Sequence, residues 1–192
     1  MPELEPFITL EREDVLDCRV FRVERVRRKS QRTGLAHDYF HIAASDWVHI
    51  IALTKEGEVV LVRQERHGTE AFSLELPGGI IEPSESPADA ALRELREETG
   101  FSGATAEQLG WVHPNPALQS NRCYTFLARD VELAGAQRLD PREEIDVVLM
   151  PYRELKERVR RREVTHSLVI SGLYFYELAQ DASPRPGSRP PA

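Results

Sequence analysis

The chain has 192 residues, 41% of them hydrophobic, with a formal net charge of -7 at pH 7. That suits one well-buried domain and argues against a nucleic-acid backbone or an anionic membrane as principal partner, since both require a basic face. No apolar run reaches the roughly 18 residues of a membrane-spanning helix, and MPELEPFITLERED lacks the basic start and apolar core of a secretion signal, so a cytoplasmic protein is expected. Cys18 and Cys123 are too few and too far apart for a disulfide framework or a zinc pattern, and read as free thiols.

In chain order, residues 1–16 read as an irregular arm with a short strand at Phe7–Leu10. CRVFRVERVRRK and DYFHIAA read as two strands joined by a turn at Thr33-Gly34. WVHIIAL and VVLVRQ form a second hairpin, and their near-continuous apolar runs imply burial on both faces. FSLEL is a short strand running into a loop at Pro77-Gly78-Gly79, and GWVH, RCYTFLARDV and IDVVLMP complete the strands. Helices are expected at Tyr152–Glu163 and His166–Gln180, and the Pro- and Ser-rich DASPRPGSRPPA reads as a disordered tail. The class is α/β.

One further helix is sharply punctuated. Ser86 suits the N-cap, Pro87 the first helical position and Gly100 the left-handed end. At 100° per residue, Ala88, Ala91, Leu92, Leu95 and Thr99 share one face, and Glu94, Glu97 and Glu98 share the adjoining one. A Glu94/Glu98 pair at i, i+4 is destabilising by roughly 0.2–0.5 kcal/mol, and the helix dipole adds to that in the C-terminal half. Arg93 and Arg96 fall on other sides of the wheel, so a divalent cation held by carboxylate oxygens is the better compensation; a solvated acidic face is the alternative. Gly78-Gly79 lets a main-chain carbonyl approach as a further oxygen ligand, or makes a tight turn and nothing more.

Gly79, Glu85, Arg93-Glu94-Leu95, Glu97-Glu98 and Gly100-Phe101, in this spacing, resemble the complete signature of the Nudix hydrolases. The resemblance implies an α/β/α sandwich and a metal-dependent hydrolase of a nucleoside diphosphate linked to another moiety, with Mg²⁺ as cofactor and Mn²⁺ as a substitute. It implies that Glu94 and Glu98 bind metal with help from Glu97 and the Gly78 carbonyl. Glu82 and Glu85 are then supporting acids, and Arg93 orients the glutamates through salt bridges. Metal ions would also explain how an acidic chain binds an anionic substrate.

Beyond the signature, residues 18–180 resemble the branch of ADP-ribose and nucleotide-sugar pyrophosphatases. That implies a homodimer formed through an additional N-terminal antiparallel strand arm at 1–44, a Nudix domain at 45–180 and the tail at 181–192. It also implies substrate contacts from Gln64, Arg66 and Glu75 in VRQERHGTEAFSLELPGG, with Arg66 as a pyrophosphate clamp or else a surface arginine. HPNPALQSNRC departs from the branch in having no acid between Ala117 and Asn121, which brings a GDP-mannose type of substrate alongside ADP-ribose. Asn115, Gln119, Asn121 and Arg122 could hydrogen-bond a sugar or base, or be merely solvated. A general base is expected in LDPREEIDVV, with Glu144 the better match and Glu143 beside it, unless Glu97 orients the water or both loop acids are simply solvated. Trp47, Phe7 and Phe21 could stack on a base but suit core packing better, and His166 reads as a cap or packed histidine.

The expected activity is hydrolysis of a nucleoside diphosphate sugar to a nucleoside monophosphate and a sugar phosphate. The alternatives are a hydrolase of another nucleotide, such as a dinucleoside polyphosphate or oxidised nucleoside triphosphate, and a non-catalytic nucleotide-sugar sensor. The retained acids count against a sensor.

Overall fold

The computed structural model describes residues 4–182. The expected tail lies outside the described residues except for its first two, Asp181 and Ala182, which continue the last helix. The chain divides into two compact units.

The first unit holds an antiparallel sheet of β1 (Ile8–Asp17), β2 (Phe21–Lys29) and β3 (Ala36–Ala44), in sequence order, together with His113–Arg122. Gly34, at φ 72°, makes the expected turn between β2 and β3. β1 is far longer than the short strand expected at Phe7–Leu10. Every one of its residues is exposed, so no apolar alternation marks it in the sequence. Cross-strand charge pairs line it instead: Arg25 donates to Glu13 at 2.6 Å, and Arg12 pairs with Glu24. Such pairs are worth roughly 0.2–1 kcal/mol each.

The second unit is an eight-stranded mixed sheet between helices. Its elements are β4 (Trp47–Thr54), β5 (Glu58–Arg66), β6 (Ala71–Glu75), β7 (Gly78–Ile80), α1 (Pro87–Thr99), β8 (Phe101–Ser102), β9 (Glu107–Val112), β10 (Cys123–Leu133), β11 (Ile145–Pro151), α2 (Tyr152–Arg160) and α3 (Ser167–Ala182). The spine runs β11-β5-β4-β10-β8, with β6 beside β5, β7 beside β4 and β9 beside β10. β4 and β10 are parallel, and the other pairings are antiparallel.

The period-2 alternation of β-strands sorts the apolar runs of β4 and β5 into two cores. Ile51, Leu53, Val59 and Leu61 pack with Leu155 of α2 and with Val169, Leu173 and Tyr176 of α3. Ile50, Ala52 and Val60 pack with Ala90, Ala91 and Leu95 of α1. Each fully buried Ile or Leu contributes about 1.5–3 kcal/mol, so the runs that read as doubly buried are the middle layer of an α/β/α sandwich.

α1 has the expected ends. Ser86 Oγ accepts from the Asp89 N–H at 3.1 Å, and Gly100, at φ 76°, donates its N–H to the Arg96 carbonyl at 2.9 Å. Its buried stripe is Ala90, Ala91, Leu95, Glu98 and Thr99, while Ala88 and Leu92 are only partly buried. The wheel is therefore turned relative to expectation, and the turn carries Glu98 into the buried face.

Candidate active site

Gly78 belongs to β7 rather than to an open loop, pairing with His49 of β4. A Cβ on Gly78 would run into the Val48 carbonyl and the His49 backbone, so only glycine allows this approach. The pairing aims the Gly78 N–H at α1, where it donates to Glu98 Oε2 at 2.8 Å. A Cβ on Gly79 would lie 2.5 Å from Glu94 Oε1, so the second glycine makes room for the second carboxylate.

The glutamates of α1 differ in surroundings. Burial pushes the Glu98 carboxyl up to about 8; the charges of Glu94 and Glu143 add to this, while the Gly78 hydrogen bond and Arg66 oppose it. Burial also raises Glu94, against the opposing pull of Arg93. Glu97 is the most open of the three, with its side chain 43% exposed.

Arg93 reaches all but Glu98. Its Nε and Nη2 donate to the two oxygens of Glu85 at 2.9 and 3.0 Å, and Nη2 also donates to the Ile80 carbonyl at 3.0 Å. Nη1 donates to Glu94 Oε1 at 2.9 Å and to Glu97 Oε2 at 3.1 Å. The wheel had set Arg93 apart from the acids; it gives Cα directions, and the long guanidinium arm folds back across them. These bonds hold the Glu85 carboxyl below the usual range, with Arg93 the main cause. Glu82 closes the preceding turn, its N–H donating to Glu85 Oε2 at 3.2 Å.

Arg93 occupies Glu94 and Glu97, and no three acidic, histidine or cysteine side chains are gathered as for a metal ion among the described residues. The donor set still fits a divalent cation. Glu94 and Glu98 are hard oxygen donors, and both are raised by burial that no cation fully offsets. Gly78 and Gly79 leave this part of β7 without side chains beside those carboxylates.

At the end of β6, Glu75 is buried and receives two hydrogen bonds from Arg66 of β5, Nε to Oε1 at 2.8 Å and Nη2 to Oε2 at 2.7 Å. Burial pushes the Glu75 carboxyl up, but Arg66, and to a lesser degree His166, more than offset it and hold it below its usual range. Gln64 lies two residues along β5, opposite Ser73 on one side and Ile145 on the other. A cavity of about 420 Å³ opens beside Gly78 and Gly79, with Trp47, Arg66, Glu75 and His166 in its wall. His166 stands at the start of α3 with Nε2 3.7 Å from Glu75 Oε2. His49, buried against Thr125 with a 2.7 Å contact, is pushed down to about 4 by that burial and is a neutral packed residue.

Both expected loop acids are exposed, but they differ in which charges they act on. Ile145 and Val147 pair with Gln64 and Val62, and Val147 packs in the α1 core. Glu143 and Glu144 precede that strand, β11, and Glu143 closes a turn with Asp140. The charges acting most strongly on Glu94 and Glu98 include Glu143 and not Glu144. Of the polar residues around Pro116, Asn121 is buried and its Nδ2 donates to the Ser45 carbonyl at 3.2 Å, which is a structural role. Leu118 is tied to β3 by the Ile42 N–H at 2.7 Å. Phe7 meets Tyr39 edge-on at 6.2 Å, consistent with packing.

Residues 46–168 match the NUDIX domain. The chain belongs to the Nudix family. Among its relatives, the ADP-ribose pyrophosphatase of Bacillus subtilis is 28% identical over 69% of this chain and 72% of its own length. The ADP-ribose pyrophosphatase of Mycobacterium tuberculosis is 31% identical over 72% and 69%. A crystal structure of an ADP compounds hydrolase shares the fold, with a TM-score of 0.85 at 24% identity over 96% of this chain and all of that one.

The protein is a Nudix hydrolase, and hydrolases of this family work with a divalent metal. Glu143 was already expected beside Glu144 as a candidate base. Gln137, whose side chain meets both α1 and β11, was missed, and no signal in the sequence marks it.

Proposed function

We propose that this Nudix hydrolase cleaves the pyrophosphate bond of a nucleoside diphosphate sugar of the ADP-ribose type, giving a nucleoside monophosphate and a sugar phosphate. The observation that carries the reading is the contrast between buried Glu98 and half-buried Glu94, which lack a full complement of cations, and a guanidinium at Arg66 that borders the adjoining cavity. The two ADP-ribose pyrophosphatase relatives support the substrate class.

Glu94, Glu98 and the Gly78 carbonyl would hold Mg²⁺, with Glu97 sharing the work and Mn²⁺ as a substitute. Bound there, the ion supplies charge neutralisation at the phosphate oxygens and polarises the attacking water. Arg93 keeps Glu85, Glu94 and Glu97 in one arrangement. Glu75 fixes the Arg66 guanidinium in the cavity wall, where its remaining donors would clamp the pyrophosphate. Gln64 contacts the substrate beside it. Glu143, in place of Glu144, accepts the proton of the water that adds to phosphorus, and the bridging P–O bond breaks with its electrons on the leaving phosphate.

In this reading residues 45–180 form the Nudix domain of a cytoplasmic enzyme. Residues 1–44 form a dimerisation arm, whose sheet exposes Ile8, Leu10, Leu16 and Phe40 for a second copy. No described helix is long and apolar enough to cross a membrane. A second substrate, of the GDP-mannose type, is favoured by the absence of acids between Ala117 and Asn121. A panel of ADP-ribose, GDP-mannose, UDP-glucose, diadenosine polyphosphates and nucleoside triphosphates, with products resolved by chromatography, tests the assignment. Cleavage confined to the polyphosphates or triphosphates would overturn it, and tight binding without cleavage would move the protein to a sensor class.

A further inference from the structure

The last turn of any α-helix leaves carbonyl groups without intrahelical partners. In α1 the residues 134–138 supply them. The Arg138 N–H donates to the Glu97 carbonyl at 2.8 Å, and the N–H groups of Ala134 and Gly135 donate to the Gly100 carbonyl at 2.9 and 3.2 Å. Gln137 is the exception in this set, because it uses its side chain. Its Nε2 donates to the Glu98 carbonyl at 2.6 Å and to the Ile145 carbonyl at 3.1 Å.

A primary amide has two N–H groups on one nitrogen, and here both are spent. One fixes the end of α1 at the residue that carries the most buried of the three crowded glutamates. The other fixes the first residue of β11. Everything between them, 138–144, is a loop clamped at both ends by one side chain, and Glu143 sits in that loop. Within it the Asp140 N–H donates to Glu143 Oε2 at 3.0 Å, and the Glu143 N–H donates to the Asp140 carbonyl at 2.9 Å. The loop therefore has internal order of its own, and Gln137 ties that ordered piece to the catalytic helix.

We propose that Gln137 is a positioning residue that sets the distance between Glu143 and the carboxylates of α1, and so controls the rate of the hydrolytic step without touching substrate. The proposal rests on Glu143 as the general base. Gln137 contributes no charge, and because it holds the Glu98 carbonyl as well as that of Ile145, the pairing of its variants with Glu143 variants separates an effect through Glu143 from one through the end of α1.

The test is a double-mutant cycle in the full-length enzyme. Glu143→Gln alone should lower kcat by about 10²–10⁴-fold; no loss would overturn the base assignment and the proposal with it. Gln137→Met, nearly isosteric but without donors, should lower kcat by about 10–100-fold with KM held within about twofold, as expected for misplacement of a reacting group. Gln137→Asn keeps both donors on a shorter arm and should lie between wild type and Met, which covers failure of the Met variant to fold. In the Glu143→Gln background the Gln137 substitution should have almost no further effect. Hydrogen exchange across 138–144 should speed up in the single variants. An unchanged kcat in Gln137→Met and Gln137→Asn, or the same fold-loss with and without Glu143, would overturn the proposal while leaving the base assignment standing.

Discussion

Glu75 and Glu98 are both buried glutamates at the ends of secondary-structure elements in the sandwich, yet their environments push them in opposite directions. Glu75, at the end of β6, has a guanidinium on both oxygens and is held ionised. Glu98, near the end of α1, has one main-chain N–H and like charges for neighbours, and is raised to about 8. An uncompensated buried carboxylate is costly, and proteins keep one where something outside the chain will neutralise it. One glutamate is thus part of a self-contained clamp, and the other is part of a cation site.

The largest expected effect falls on the second. Glu98→Gln should lower metal-dependent turnover by about 10³-fold or more, while the metal-free variant melts at or above the wild-type temperature near neutral pH, because a costly buried acid has been removed. A variant that turns over normally, or one that unfolds, would erase the distinction.

Breaking the clamp should look different. Arg66→Ala leaves Glu75 buried without its partner, so stability should fall by about 1–3 kcal/mol, discounted from a fully buried pair because Arg66 is half exposed, and KM should rise about tenfold. The pH dependence carries the sign. Glu75 has a folded-state pKa below its unfolded value, so its contribution is present above the unfolded pKa, near 4.5, and is lost as pH falls through the folded value. Thermal melts below pH 5 should show this loss in the wild type and a shallower dependence in Glu75→Gln.

The smallest effect is steric. Gly79→Ala places a Cβ against the flexible end of Glu94, so stability should change by less than about 1 kcal/mol while kcat falls about tenfold. Equal activity would show that the close approach of β7 and carboxylate is incidental.

Much of this was legible in the sequence, for identifiable reasons. β4 and β5 were readable because a strand covered on both faces has no polar positions, and α1 because Ser86, Pro87 and Gly100 each suit a single place in a helix end. The acids of the signature were readable by spacing. What was lost was whatever depends on side-chain reach or on tertiary rotation. The helical wheel alone set Arg93 apart from Glu94 and Glu97, because it ignores the length of an arginine; only the family resemblance gave the salt bridges to the glutamates. Glu98 was placed on the face adjoining the apolar one and not within the buried stripe, because that stripe turns toward Ala90. β1 was cut short because its stabilising pairs are charged, and a reading tuned to apolar alternation passes over them.

The contrast between Glu75 and Glu98 is tested most directly by calorimetric titration of Mg²⁺ into metal-free wild type, Glu98→Gln and Glu75→Gln at one pH. Saturable binding by wild type and Glu75→Gln, with loss of binding in Glu98→Gln, is the predicted result. Binding by Glu98→Gln as tight as wild type, or loss only in Glu75→Gln, would contradict the account.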